Sequence, residues 1–290
     1  MPLRLLQAIY SRLPVVRELY ALNRLVNQLL TQQRSSLSIS RAHAELALKS
    51  ADPRCAEPGS LLSHEYSVYS QNGEDGILHE IFRRIGTTNR VFVEIGAGSG
   101  LENCTAFLLT QGWSGYWLDG SAEFRQTLTT CSKAMRERIS EHVGILTREN
   151  VGGTLKELGV PTEIDLLSID IDHNTYYVWQ GTARYRPRVA VIEYNAILPA
   201  DVDWKVEYRP DVGWSRNHNF GASLKALEIL GRGMGYSLVG CDFAGCNAFF
   251  VRDDLTGDRF AEPYTAEHHH QPFRPWISDG RYFAPSMLDG

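Results

Sequence analysis

The sequence predicts an α/β fold: a doubly wound, mostly parallel, seven-stranded sheet with an N-terminal helical extension. Three observations predict it. First, short strand-like runs alternate with helix-forming stretches from about Leu61 onward, the rhythm of strands joined by crossover helices, and two more runs close the domain. Second, residues 164–171 (IDLLSIDI) and 189–194 (VAVIEY) are mostly apolar without alternation, as in strands covered on both faces. Third, residues 91–95 (VFVEI) open directly into a glycine-rich turn, 96–100 (GAGSG). That order puts the turn at the carboxyl end of a strand, where open α/β sheets bind ligands.

Composition sets the bounds. The chain has 290 residues, 43% hydrophobic and 22% charged, which suits one large domain with extensions and needs no disulfide or metal to build a core. A formal net charge of -5 gives no electrostatic case for a nucleic-acid partner. The five cysteines are scattered, without a CxxC pair, and predict free thiols in a reducing compartment. Met1–Tyr10 is interrupted by Arg4 and Gln7, so no secretory signal is expected. The expected location is cytoplasmic, with a peripheral position at the inner face of the membrane left open.

Residues 1–60 are expected to form an amphipathic helix and a linker. Val15, Leu19, Leu22, Val26 and Leu29 fall at alternating four- and three-residue steps, a helical stripe flanked by Arg4, Arg12, Arg17 and Arg24. Three readings of this stripe stand: packing on the domain, a coiled-coil seam, or a basic helix resting on an anionic membrane. Residues 35–60 are polar and carry Pro53, Pro58 and Gly59, which predicts a short helix followed by the linker.

From 61 to 256 the pattern is that of the α/β domain. A helix is expected over 76–85, the first strand at Val91, and a helix over 102–111 after the glycine turn. A second strand at 115–119 (GYWLD), a third near 142–146 and a helix around 153–158 follow. The two apolar strands come next, then a helix over 222–230. Residues 236–239 and 248–251 flank a turn containing Gly245, a terminal antiparallel hairpin. Residues 257–290 are left as a C-terminal tail.

The candidate chemistry lies at strand ends. Gly96, Gly98 and Gly100 let the backbone turn sharply and approach a ligand without a Cβ in the way. A dinucleotide fingerprint would have a third glycine at position 101, where this chain has Leu101. Asp119 ends the next strand about twenty residues later, where an acid can accept hydrogen bonds from a ribose, with Ser121 beside it. The plainer reading is a strand-ending aspartate in a turn.

Residues 169–174 (IDIDHN) bring Asp170, Asp172 and His173 to one strand exit, and residues 192–195 (IEYN) bring Glu193 and Asn195 to the next. Acids from two strand ends can hold a hard cation such as magnesium, which would lower the pKa of a bound hydroxyl. Without a metal, Asp172 or His173 is the candidate general base. Purely structural caps are the third reading. His218, in 216–220 (RNHNF), offers an imidazole to an acceptor, while Asn219 is placed to cap the helix that follows. Trp204 and Trp214 are core aromatics or platforms for a sugar face. The triplet His268, His269 and His270 is expected in a surface loop.

Residues 69–78 (YSQNGEDGIL), 93–100 (VEIGAGSG), 165–172 (DLLSIDID), 191–195 (VIEYN), 221–224 (GASL) and 247–251 (NAFFV) together resemble the FkbM-type S-adenosylmethionine (SAM)-dependent methyltransferases. The resemblance spans about 61–254. It implies a Rossmann-like SAM-binding domain whose last strand is antiparallel. It also implies methyl transfer to a hydroxyl of a small-molecule, sugar or polysaccharide acceptor. It places Gln71, Asn72, Glu74, Glu94, Gly96, Gly98, Asp119 and Ser121 at the cofactor. By similarity to the related macrocin-type sugar O-methyltransferases, Asp170, Glu193 and Asn195 would hold magnesium. Asp170, Asp172, His173 and His218 would then face the acceptor. The chain departs from the pattern at IEYN, where that group has paired acids, and at His173, where a glycine is expected. A nucleotide-dependent oxidoreductase and a non-catalytic scaffold in a glycan-assembly complex are the alternatives. The N-terminal helix leaves open peripheral membrane contact or self-association.

Overall fold

The computed structural model describes residues 14–98, 100, 102–121, 124, 133–213 and 217–277. The chain divides into two units, residues 1–51 and 52–290.

In the first unit, α1 (Pro14–Ala51) is one continuous helix of 38 residues. The polar stretch after Ser35 does not start a separate short helix but continues α1 to Ala51, and the region expected as a linker, 52–60, is irregular apart from a 3₁₀ turn at Pro53–Ala56. No glycine or proline interrupts residues 15–51. The hydroxyls of Thr31, Ser35 and Ser50 donate to the carbonyls of Asn27, Thr31 and Leu46, so these residues are satisfied without leaving the helix. Residues 1–13 of the expected segment lie outside the described residues. No helix among the described residues is long and apolar enough to cross a membrane.

The second unit is built on one sheet of β1 (Val91–Ile95), β2 (Ser114–Asp119), β3 (Ile139–Val143), β4 (Glu163–Ile169), β5 (Arg186–Glu193), β6 (Tyr236–Cys241) and β7 (Asn247–Arg252). Their order is β3-β2-β1-β4-β5-β7-β6. The first five are parallel, and β7 runs antiparallel to both β5 and β6. Chain direction across the sheet reverses between β1 and β4, so a crevice opens at their carboxyl ends. A dinucleotide-binding sheet continues from β5 to a sixth parallel strand. Here a reversed strand is slotted between β5 and β6, as expected of the SAM-methyltransferase variant of the Rossmann-like fold.

Side chains alternate across the sheet with the two-residue period of a strand. Phe92, Leu166, Val189, Val191 and Phe249 pack with α2 (Glu74–Ile85) and α3 (Ala106–Thr110) on one face. Val93, Ile95, Ile169, Ile192 and Phe250 pack with α4 (Val151–Glu157), α5 (Thr175–Gly181) and α6 (Leu224–Gly233) on the other. Each fully buried side chain of this size contributes about 1.5–3 kcal/mol, so the two faces together hold the strand tips in fixed positions.

Some boundaries differ from expectation. β3 lies three residues earlier than 142–146, because this edge strand exposes Ser140 and Glu141 and carries no apolar run. Its place is set by pairing, Gly115 to Ile139 and Asp119 to Val143. Ser223, not Asn219, caps α6, accepting from the Ala226 amide at 3.2 Å. The histidine triplet is not a surface loop. His269 is buried, and burial pushes its pKa down to about 3. His270 Nε2 bonds to the Leu198 carbonyl at 3.1 Å, and His268 pairs with Glu57 at 3.1 Å. The segment after β7 packs on the sheet, with Tyr194 donating to the Gln271 carbonyl at 2.7 Å.

Asp165, the first acid of the DLLSIDID stretch, lies at the far end of β4 from the crevice. It is fully buried and accepts hydrogen bonds from the Thr88, Asn89 and Arg90 amides and the Thr88 hydroxyl, with Arg188 at 3.5 Å. This carboxylate shapes the turn that feeds β1 and takes no part in the crevice.

Candidate active site

The glycine turn is held from three sides. The Gly96 amide donates to the Leu118 carbonyl at 2.8 Å, and the Asp170 amide donates to the Ile95 carbonyl at 2.9 Å. Gly96 has φ +88°, and a Cβ there would sit 1.6 Å from the Asp170 carbonyl oxygen. A Cβ at Gly100 would meet the Trp117 ring at 2.7 Å, while one at Gly98 would meet nothing within 4 Å. Two of the three glycines are thus required by packing against the protein, and Gly98 alone opens outward. Only at Gly98 does the structure leave the open space that close approach of a ligand requires.

Asp119 joins the turn to β2. Its Oδ2 accepts from the Gly98 amide at 2.8 Å and its Oδ1 from the Ser121 amide at 2.7 Å. Glu94, buried at the end of β1, accepts from Asn103 Nδ2 at 2.7 Å, the Cys104 amide at 2.9 Å and the Thr105 hydroxyl. Burial raises its carboxyl to about 8, against the lowering effect of Thr105 and the backbone donors. This network occupies residues 103–105, which is why α3 begins at Ala106 and not at 102.

Beside the turn lies a cleft of about 190 Å³ whose walls include Gln71, Asn72, Glu74, Glu94, Gly98 and Asp170. Glu74 accepts from the Asn72 amide at 2.7 Å, Asn72 Nδ2 at 3.1 Å and Asn247 Nδ2 at 2.9 Å. Gln71 donates to Glu102 at 3.0 Å. Because carboxylates take the amide nitrogens of Asn72 and Asn103, the orientation of both side chains is defined. Their Oδ1 atoms are buried without a partner. Two uncommitted acceptors beside Glu74 and Glu94 suit a multiple N–H donor.

A second pocket, of about 100 Å³, opens on the other side of Asp170. Its walls include Asp172, Glu193, Tyr194, Phe220, His218 and Phe273. Asp170, Asp172 and Glu193 each offer an oxygen, all within 4.8 Å of one another. Asp172 reaches this cluster from a left-handed backbone, φ +59°, with its amide donating to Glu193 Oε2 at 3.0 Å. Thr175 donates to the same oxygen at 3.2 Å. Asp170 is open to the crevice but surrounded by protein elsewhere. That enclosure first, and the Asp172 charge second, raise its carboxyl to about 7. Enclosure and the two aspartates raise Glu193 well above the usual carboxylate range, and enclosure raises Asp172 as well. Three acids this close share protons or take up a cation.

The structure brings together most of the residues singled out from sequence. Gln71, Asn72, Glu74, Glu94, Gly96 and Gly98 line the first cleft, Asp170 stands between the two, and Asp172, Glu193 and His218 line the second. Asn195 also lines the second, but its amide donates to the His218 and Phe220 carbonyls, and Asp172 is the third member of the acid group. His173 turns away, buried with Nε2 against the Glu207 carbonyl at 3.3 Å. Asn103, Ser168 and Asn247 were missed. Asn103 stands in the polar run directly after the glycines, and Ser168 and Asn247 stand within the 165–172 and 247–251 motifs, where neither was assigned a role. Trp214 lies outside the described residues.

No family model matches the chain, and no curated protein matches it. Solved structures with a similar fold include the methyltransferase domain of bacterial CtHen1-C, at 15% identity over 63% of this chain and 97% of that one, TM-score 0.39. The glycopeptide N-methyltransferase MtfA in complex with SAM aligns at 14% identity over 60% of this chain and 86% of that one, TM-score 0.35. The O-methyltransferase TomG from Streptomyces achromogenes, in complex with SAM, aligns at 19% identity over 41% of this chain and 54% of that one, TM-score 0.32. The class of the fold rests on the strand order itself: a doubly wound sheet of the SAM-methyltransferase type, with two pockets meeting at one aspartate.

Proposed function

We propose that the protein is a SAM-dependent O-methyltransferase of the FkbM type, acting on a hydroxyl of a sugar, glycan or related metabolite. The observation that carries this reading is the position of Asp170, one wall shared by the cleft at the glycine turn and by the acid-lined pocket. A methyl group presented from the first side reaches a hydroxyl held on the second. The reversed β7 supports it over a dinucleotide-dependent oxidoreductase.

In this reading the first cleft takes the amino-acid end of SAM. Its volume is below the ~300 Å³ at which pockets begin to enclose whole ligands, so the adenosine lies beyond Gly98 toward Asp119. The Oδ1 atoms of Asn72 and Asn103 accept from the α-ammonium. The acceptor lies against Phe220 and Phe273, with Asn217 and His218 at the pocket wall. Apolar surface beside polar groups suits a sugar ring, which has C–H faces and hydroxyl edges.

The reaction is an in-line displacement. An oxygen lone pair of the acceptor attacks the methyl carbon, the carbon–sulfur bond breaks, and its electron pair stays on sulfur as S-adenosylhomocysteine leaves. The acceptor proton passes to Asp170, whose carboxyl near 7 suits a base working at neutral pH. Most of the rate enhancement comes from alignment of the two reactants. The donor set of Asp170, Asp172 and Glu193 also fits a hard divalent cation such as magnesium. When bound there, such an ion lowers the pKa of the acceptor hydroxyl.

Titration calorimetry with S-adenosylhomocysteine and with NAD tests the cofactor, and transfer of a labelled methyl group into glycan fractions tests the acceptor. Binding of the first ligand alone is expected. Binding of NAD alone, or of neither, would overturn the reading.

A further inference from the structure

We infer that α1 docks on an anionic lipid surface, lying in the interface without crossing it. Leu19, Leu22, Val26, Leu29 and Leu30 are between 44% and 59% exposed. At 3.6 residues per turn they share an arc of roughly 100°, with Arg24 on the far side. That is an apolar face with nothing of its own unit to cover it.

Charge selects the occupant. Residues 1–51 hold seven Lys or Arg against two Asp or Glu, a net +5, while residues 52–290 hold 22 against 32, a net -10. Within α1, Glu45 is held by Lys49 at 2.7 Å, and the helix as a whole carries five Lys or Arg against two Glu, with Arg24 and Arg34 exposed along it. A basic helix with an apolar stripe is the form that lies at a membrane interface, and anionic headgroups supply the opposite charge.

A second copy fits less well. Extending the stripe by its own four- and three-residue steps reaches Gln33, Ser36 and Ser40, so the apolar seam ends after about two heptads, short of the three to four a coiled coil needs. Each copy would also bring the same positive charge. A lipid surface would carry the acidic catalytic unit beside membrane-borne acceptors. The docking does not rest on the methyltransferase reading.

The test is sedimentation of the full chain with vesicles of phosphatidylcholine alone or mixed with phosphatidylserine. Binding is expected only with the mixed vesicles, weakening as salt rises. Arg24→Gln and Arg34→Gln should each lower the partition by about fivefold, and Leu22→Glu with Val26→Glu should abolish it. All these positions are exposed, and unchanged circular dichroism and melting confirm an intact fold. Equal binding to neutral vesicles, or no binding to either, overturns the inference. A lipid-independent doubling of mass that Leu22→Glu with Val26→Glu abolishes would assign the face to a second copy instead.

Discussion

Asn72→Ala is expected to weaken binding of S-adenosylhomocysteine while sparing 5′-methylthioadenosine, which keeps the adenosine and the sulfur but lacks the amino-acid end. The Oδ1 of Asn72 is buried without a partner, because the amide nitrogen is committed to Glu74 at 3.1 Å. In the proposed complex that oxygen receives a hydrogen bond from the α-ammonium. Hydrogen bonds to charged groups contribute about 1.5–3 kcal/mol, and each 1.4 kcal/mol is tenfold, so the expected loss is roughly 10- to 150-fold in Kd. Glu74 keeps two donors in the variant, the backbone amide of residue 72 at 2.7 Å and Asn247 at 2.9 Å, so the cleft retains its frame. Calorimetric titration of both ligands into wild type and variant, beside a melting curve, measures the effect. Equal weakening of both ligands, or unchanged affinity for S-adenosylhomocysteine, would refute the assignment of the amino-acid end to this cleft.

Asp170→Asn should abolish methyl transfer while leaving S-adenosylhomocysteine affinity nearly unchanged, as read by single-turnover assay and calorimetry; retained turnover would remove Asp170 from the chemistry. The acid cluster should also make stability depend on pH. Folding raises the pKa of Asp170 to about 7 and raises Glu193 and Asp172, so the folded state holds protons the unfolded state has released. Stability therefore falls as pH climbs from about 4 toward 7. If these acids hold magnesium, the rise in Tm on its addition should be larger at pH 8 than at pH 6; a pH-independent response would argue against this site. Asp165→Ala should cost about 3–5 kcal/mol in chemical denaturation, since it strands Arg188 and three backbone amides. Folded variant should bind S-adenosylhomocysteine normally, and a selective loss of binding would show that Asp165 acts on the crevice.

Much of the fold was legible because strand and helix signals are local. The apolar runs at β1, β4 and β5, the Gly245 turn and the strand-to-glycine order needed only neighbouring residues. The weak points were those without such a signal. β3 is a polar edge strand placed by its pairing with β2, and the continuity of α1 depended on hydroxyls folding back on their own backbone.

The sequence by itself determined the α/β class, the crevice-lining strand tips and the acids carried on them, since each follows from residue order along one element. Only the tertiary structure decided that Asp172 stands with Asp170 and Glu193, that His173 faces away, and that Asp165 supports a turn. It alone showed that Gly96 is glycine because the Asp170 backbone passes beside it. Those outcomes depend on contacts between segments tens of residues apart in the chain, set by strand register and by the direction in which each turn leaves its strand.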